Sequence, residues 1–211
     1  LIQRATAYLH QRGLVSCDLR IRDGRFAPPA EAGSLHLEKG EKLVDARGLL
    51  VLPGAIDGHV HFDDPGFTWR ETFATGSAAA AAGGVTTVVD MPCTSRPPLT
   101  TVKNLHEKLS CIEGRSHVDF MFWGGLCANA MSDGSNWNQD MKDLRDAGVA
   151  GIKVYLLSGM DSFRYLNDEE LMQAARCAKS LSLPLGVHAE DRGLFEKLRA
   201  ECVSMSLSEV Q

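Results

Sequence analysis

The sequence predicts an α/β protein built on a parallel sheet, with a small β-rich segment in front of it. Three observations carry this prediction. From about residue 50 onward, short β-branched apolar runs alternate with helical stretches, the pattern of successive βα units. The helical stretches are punctuated by cap residues: Gly83-Gly84 closes an alanine-rich run, and Asn167 or Asp168 opens an acidic one. Residues 1–50 lack the helical period and carry short alternating patterns instead.

In the leading segment, "IQRATAYL", "VSCDLRIRDGRF" and "KLVDARGLLVL" read as strands, and the Asp-Gly of "RDGRF" reads as a hairpin turn. "FAPPAEAGS" is a loop. Residues 1–50 are therefore expected to form a small β-domain, and residues 51–211 the α/β part. There, "LLVLPGAID" is expected to be a strand buried on both faces. A helix over "ETFATGSAAAAAGG" and a strand over "VTTVVDMP" follow. Next come helix "TVKNLHEKLSCIEG", strand "HVDFMFWGGL", helix "NWNQDMKDLRDAG" and strand "VAGIKVYLL". Helix "NDEELMQAARCAKSLS" and strand "LPLGVHAED" complete five strands with four helices between them. A closed (β/α)8 barrel takes eight such units and typically ~250 residues. The chain thus reads either as an open five-stranded sheet or as a barrel cut short after its fifth strand.

Bulk properties narrow the function classes. A net charge of -5 with no basic cluster gives no electrostatic case for nucleic acid or an anionic membrane. No apolar run approaches the ~20 residues of a membrane span, and "LIQRATAYLHQRG" has no signal-peptide core. The six cysteines are scattered without a C-x-x-C pair, which suits reduced thiols in the cytoplasm better than a disulfide framework.

Chemistry concentrates at the predicted carboxyl ends of the strands, where parallel α/β sheets place their sites. In "GAIDGHVHFDDPG", His59 and His61 follow the first strand. Side chains at i and i+2 of extended backbone share a face, so the two imidazoles either converge on a cation or decorate an ordinary strand end. His188, in "LPLGVHAED", also stands at a strand end, whereas His10, His36, His106 and His117 do not. Lys153 lies inside the apolar "VAGIKVYLL". A buried ammonium is costly unless paired, so it either meets a carboxylate or, with its pKa lowered by burial, reacts with carbon dioxide to become an anionic carbamate.

The H-x-H after strand one, the Lys in strand four and the His after strand five resemble the cyclic amidohydrolases: dihydroorotases, hydantoinases and allantoinases. The resemblance runs from "DLRIRDGRF" through "GVHAED". It implies a β-sandwich domain on a (β/α)8 TIM-type barrel, of which this chain holds about the first five units. It further implies two divalent cations, usually Zn2+, with His59 and His61 on one, His188 on the other, and carboxylated Lys153 as the bridging ligand. The implied reaction is hydrolysis of a cyclic amide or ureide C–N bond by a hydroxide bridging the two metals. In this family strand six adds a metal-binding His and strand eight the general-base Asp. Neither can be assigned here, so the chain as written is expected to be catalytically incomplete. Dimers or tetramers are the assembly the resemblance implies.

Subfamily features favour allantoinase, hence allantoin as the substrate. "DMPCTSRPPLTT" and "GIKVYLLSGMDSF" are similar to that group. Asp63 stands where dihydroorotases carry a carboxylate-binding Arg, and an anionic substrate facing Asp63 and Asp64 would be repelled. Cys93 replaces a dihydroorotase Asn, Thr94 replaces an allantoinase Asn, and Ser158 stands where hydantoinases place a substrate-contacting Tyr. Asp63, Cys93, Thr94 and Ser158 are the candidate substrate contacts, with a buried small residue as the competing reading of Cys93. A hydantoinase, dihydropyrimidinase or dihydroorotase-like amidase, or a non-enzymatic relative, are the alternatives. Arg70 and Glu71 are expected to form a loop salt bridge, and Trp69, Trp123 and Trp137 to serve as core or loop anchors.

Overall fold

The computed structural model describes residues 1–132, 134 and 136–204; the end of the 51–211 region lies outside the described residues. The chain divides into two compact units, Leu1–Gly54 and the region from Ala55 onward.

The first unit is a small sheet. Strand β1 (Ile2–Leu9) pairs antiparallel with β2 (Gly13–Leu19), and the expected Asp-Gly hairpin joins β3 (Ile21–Arg22) to β4 (Arg25–Phe26). Asp23 and Gly24 both have positive φ, as a two-residue type I′ turn requires. Strand β5 (Ala30–Glu31) adds to β2, while β6 (Val44–Asp45) and β7 (Leu50–Val51) run parallel to β1. The sheet is organised around Asp18, whose buried carboxylate accepts from the backbone N–H groups of Arg4, Gly33 and Leu35 at 2.8–3.0 Å. Burial works to raise this carboxyl, but those three donors outweigh it and hold its pKa below the ordinary value.

The second unit is the parallel α/β part. Strands β8 (Ala55–Val60), β9 (Val85–Asp90) and β10 (Asp119–Phe122) form one three-stranded sheet. Strands β11 (Gly124–Gly125), β12 (Ile152–Tyr155) and β13 (Leu185–His188) form another. The third strand changes partner at Trp123, whose N–H donates to Asp90, while Ala150 N–H donates to Phe122 and Gly124 N–H to Gly151. Five strands thus lie side by side in chain order, all parallel where they pair. Helices α1 (Phe73–Ala82), α2 (Val102–Ile112), α4 (Trp137–Asp146) and α5 (Asp168–Ser180) are the four expected connectors. The sequence reading missed short α3 (Ala128–Ser132) and terminal α6 (Arg192–Ser204). Among the described residues no helix is long and apolar enough to cross a membrane.

Two local expectations are corrected. "LLVLPGAID" is not one strand: Leu50–Val51 pair with β1 in the first unit, and Pro53-Gly54 separates them from β8. Nor is β8 buried on both faces. It pairs only with β9 at a sheet edge, and Ile56 is 71% exposed.

The core of the second unit gathers Phe62, Phe73 and Phe122 with Val88, Leu105, Ile112, Met141, Leu144, Ile152 and Val154. Phe73 meets Phe62 edge-on at 5.2 Å and Phe120 at the same separation, the geometry aromatic quadrupoles favour. Helix α1 can lie this close because Gly76 faces Phe62; a Cβ there would come within 2.4 Å of the ring. The helix opens on a Thr72–Thr75 capping box, and Asp64 accepts from Phe73 N–H at 3.0 Å.

Candidate metal centre

His59 lies within β8, not after it, and His61 follows the strand's last residue. The β8–β9 register slips between Asp57 and Val60, and such a bulge re-aims side chains next to sites. Asp57 supports it by accepting from His59 N–H at 3.0 Å. The two imidazoles end side by side, with ring centroids 5.3 Å apart and planes tilted by 57°. His61 is half-buried and His59 exposed. Desolvation lowers both pKa values; Lys153 depresses His59 further, and the neighbouring imidazole depresses His61. Neutral imidazoles present the lone pair a metal needs.

Lys153 is 5% exposed in a strand whose four residues are all buried. No carboxylate among the described residues forms a salt bridge with it, so the paired-lysine alternative finds no support. Its ammonium lies 5.5 Å from the Tyr155 ring centre. Burial lowers its pKa, which favours the free amine that attacks carbon dioxide.

His188 ends β13 opposite Tyr155 in the β12 register and stacks on it at 4.7 Å with planes 21° apart. Its Nε2 lies 3.3 Å from Glu190. Both His188 and Lys153 act electrostatically on His59, so strands one, four and five face a common region. His10, His36, His106 and His117 are all exposed and lie elsewhere, as expected.

Cys93 and Thr94 adjoin His61: Thr94 Oγ1 lies 3.4 Å and Cys93 Sγ 3.9 Å from its Nδ1. Cys93 is buried and 3.0 Å from the Tyr155 hydroxyl. Burial pushes its thiol pKa up. Tyr155, which the sequence reading did not single out, thereby links Cys93 to His188. Its phenol is likewise raised by burial and by Cys93. Ser158 Oγ accepts from Met160 N–H, and the residue lines a cavity of about 470 Å3 with Tyr155 and His188.

The acidic pair behaves differently from expectation. Asp63 is 2% exposed and ion-paired with Arg70 at 3.5 Å, with Oδ1 left without a donor. Arg70 therefore pairs with Asp63 and not with Glu71, which accepts from Thr72 N–H and Thr75 Oγ1. Asp64 is 1% exposed and is consumed in holding the start of α1. Neither carboxylate opposes an incoming anion, so repulsion gives no ground against dihydroorotate. Trp69 is also not a core residue: it is 74% exposed, its ring 5.1 Å from Phe67. Trp123 does anchor a loop, donating from its indole to Gly58 carbonyl at 3.0 Å.

Among the described residues, no three His, Cys, Asp or Glu side chains gather into a metal-binding group. The fit of the predicted set therefore rests on Lys153, which is buried, forms no salt bridge among the described residues and as a carbamate would supply an anionic oxygen donor.

Residues 50–203 match the model of the amidohydrolase family, and the chain belongs to that family. Its relatives include the allantoinase of Rubrobacter xylanophilus, 38% identical over 196 residues, covering 91% of this chain and 40% of the relative. The mitochondrial allantoinase of Aquarana catesbeiana is 37% identical, covering 89% and 37%. Among solved structures, the L-hydantoinase (dihydropyrimidinase) from Arthrobacter aurescens superposes with a TM-score of 0.84 at 27% identity, covering 95% of this chain and 42% of that one. The chain thus spans about two fifths of the length of the proteins it matches, and its α/β unit corresponds to part of their barrel.

Proposed function

We propose that this chain forms the metal-binding half of a cyclic amidase that hydrolyses the ring C–N bond of a neutral ureide, most specifically allantoin to allantoate. Lys153 carries the proposal: a buried lysine without a carboxylate partner, facing the region shared by His59, His61 and His188. The allantoinase relatives favour allantoin, and the likeness to L-hydantoinase supports the wider cyclic-amide class.

In this reading His59 and His61 hold one divalent cation, His188 the second, and carboxylated Lys153 bridges them. Two Zn2+ ions bound there would supply hydroxide near neutral pH and polarise the scissile carbonyl. The chain's own residues fix the geometry. The β8 bulge aims His59, Thr94 flanks His61 Nδ1, and Tyr155 backs His188 with its ring. Asp63, Cys93, Thr94 and Ser158 remain the proposed substrate contacts. The free cysteines suit a reducing cytoplasmic setting, and the family resemblance carries assembly as dimers or tetramers.

The test is hydrolysis of allantoin, hydantoin, dihydrouracil and dihydroorotate by the purified full-length protein, before and after chelation and after readdition of Zn2+. Chelator-sensitive activity highest on allantoin is expected. Activity that survives complete metal removal, or turnover of dihydroorotate alone, contradicts the proposal.

A further inference from the structure

Lys108, on α2, is not among the site residues above, yet it is 1% exposed and its ammonium is fully engaged. It donates to the Asp64 carbonyl at 2.6 Å and to Ser95 Oγ at 2.7 Å, and lies 2.7 Å from Asp90 Oδ2. An ammonium has three protons, and each faces a different segment. The rings of Phe73 and Phe122 close around it, at 5.8 and 5.5 Å. Asp90 Oδ2 and the ammonium thus form a buried ion pair.

The three segments are those that border His61. Asp90 Oδ1 accepts from Phe62 N–H at 2.7 Å and so pins the peptide immediately after His61. Asp64 lies three residues beyond His61, and Ser95 follows Thr94, whose hydroxyl touches the His61 ring. Lys108 therefore reaches His61 by two routes, through the Asp90–Phe62 peptide and through the Ser95–Thr94 backbone.

We propose that Lys108 is a positioning residue for the metal site: its ammonium clamps Asp64, Asp90 and Ser95 together and thereby sets the backbone and ring of His61. The proposal rests on the reading of His61 as a metal ligand. It assigns Lys108 no contact with metal or substrate. Its effect is that of outer partners which fix a ligand's orientation, whose loss typically weakens metal binding 10–100-fold.

The experiment measures Zn2+ affinity by chelator competition, and the visible spectrum of the Co2+-loaded protein, in wild type, Lys108→Met/Asp90→Asn and Ser95→Ala. The double variant removes both charges while keeping an acceptor for Phe62 N–H, so it avoids stranding a buried carboxylate. Thermal unfolding checks its fold. A folded double variant with Zn2+ affinity reduced at least tenfold and an altered Co2+ spectrum is expected, with a loss of a few-fold in Ser95→Ala, where the ion pair stays intact. Wild-type affinity and spectrum in either folded variant overturn the clamp. If the double variant does not fold, Ser95→Ala alone decides. A wild-type protein that binds no divalent cation instead overturns the reading of His61 as a ligand, and the purpose of the clamp with it.

Discussion

Both units of this chain bury charge, but they compensate it in different ways. In the small sheet, Asp18 is satisfied by three backbone N–H groups and serves to close the fold. In the α/β unit two lysines are buried. Lys108 is ringed by a carboxylate, a carbonyl and a hydroxyl, whereas Lys153 forms no salt bridge among the described residues. A charge that is fully compensated stabilises a fold or holds its neighbours. One left without a counter-charge costs stability, and a protein retains it where chemistry requires it. That difference is what the proposed carbamate role of Lys153 and the proposed clamp role of Lys108 would each require.

The sharpest way to break this comparison is Lys108→Met. Removing one member of a buried pair leaves Asp90 uncompensated, for an expected loss of about 3–5 kcal/mol in urea unfolding. Next comes Asp18→Ala, which strands three N–H groups and is expected to cost about 3 kcal/mol in the same measurement. Lys153→Met should do the reverse: in metal-free protein it is expected to raise stability by about 1 kcal/mol, because an uncompensated ammonium is replaced by an apolar side chain of similar length. A destabilised Lys153→Met would show that this lysine is structural.

A smaller effect appears on acidification. The Asp18 carboxyl is held below its ordinary 3.8 in the folded protein, so the unfolded chain takes up its proton first. Its contribution is complete above pH 3.8 and declines as pH falls through the depressed folded value. The stability difference between wild type and Asp18→Asn should be constant between about pH 5 and 8 and narrow below about pH 4. A difference that grows on acidification would reverse the sign assigned to Asp18.

Much of this was legible in the sequence, for identifiable reasons. The βα alternation marked the parallel strands because β-branched runs and capped helices have distinct periods, and Asp23-Gly24 marked its hairpin through positive φ. His59, His61 and His188 stood out by their places at strand ends, and Lys153 as a charge inside an apolar strand. Lys108 was missed although a signal existed: it shares the stripe of Leu105 and Ile112, both buried, at i−3 and i+4. A lysine on an apolar stripe is a buried charge with an unknown partner, and only the fold shows that the partner is Asp90. The fates of Asp63 and Asp64 were likewise invisible, since adjacent carboxylates look alike until Arg70 and the start of α1 claim them separately. Leu50–Val51 misled for a related reason: apolar residues fit either sheet, and pairing with β1 decides the matter.

The most direct test of the account is the Zn2+ stoichiometry of the purified full-length protein, titrated with and without added bicarbonate, in wild type and Lys153→Met. The two-metal reading predicts about two ions per chain for wild type with bicarbonate. It predicts at most one without bicarbonate, and at most one in Lys153→Met under either condition. Full and equal loading of wild type and Lys153→Met, or no Zn2+ bound by wild type, would contradict it.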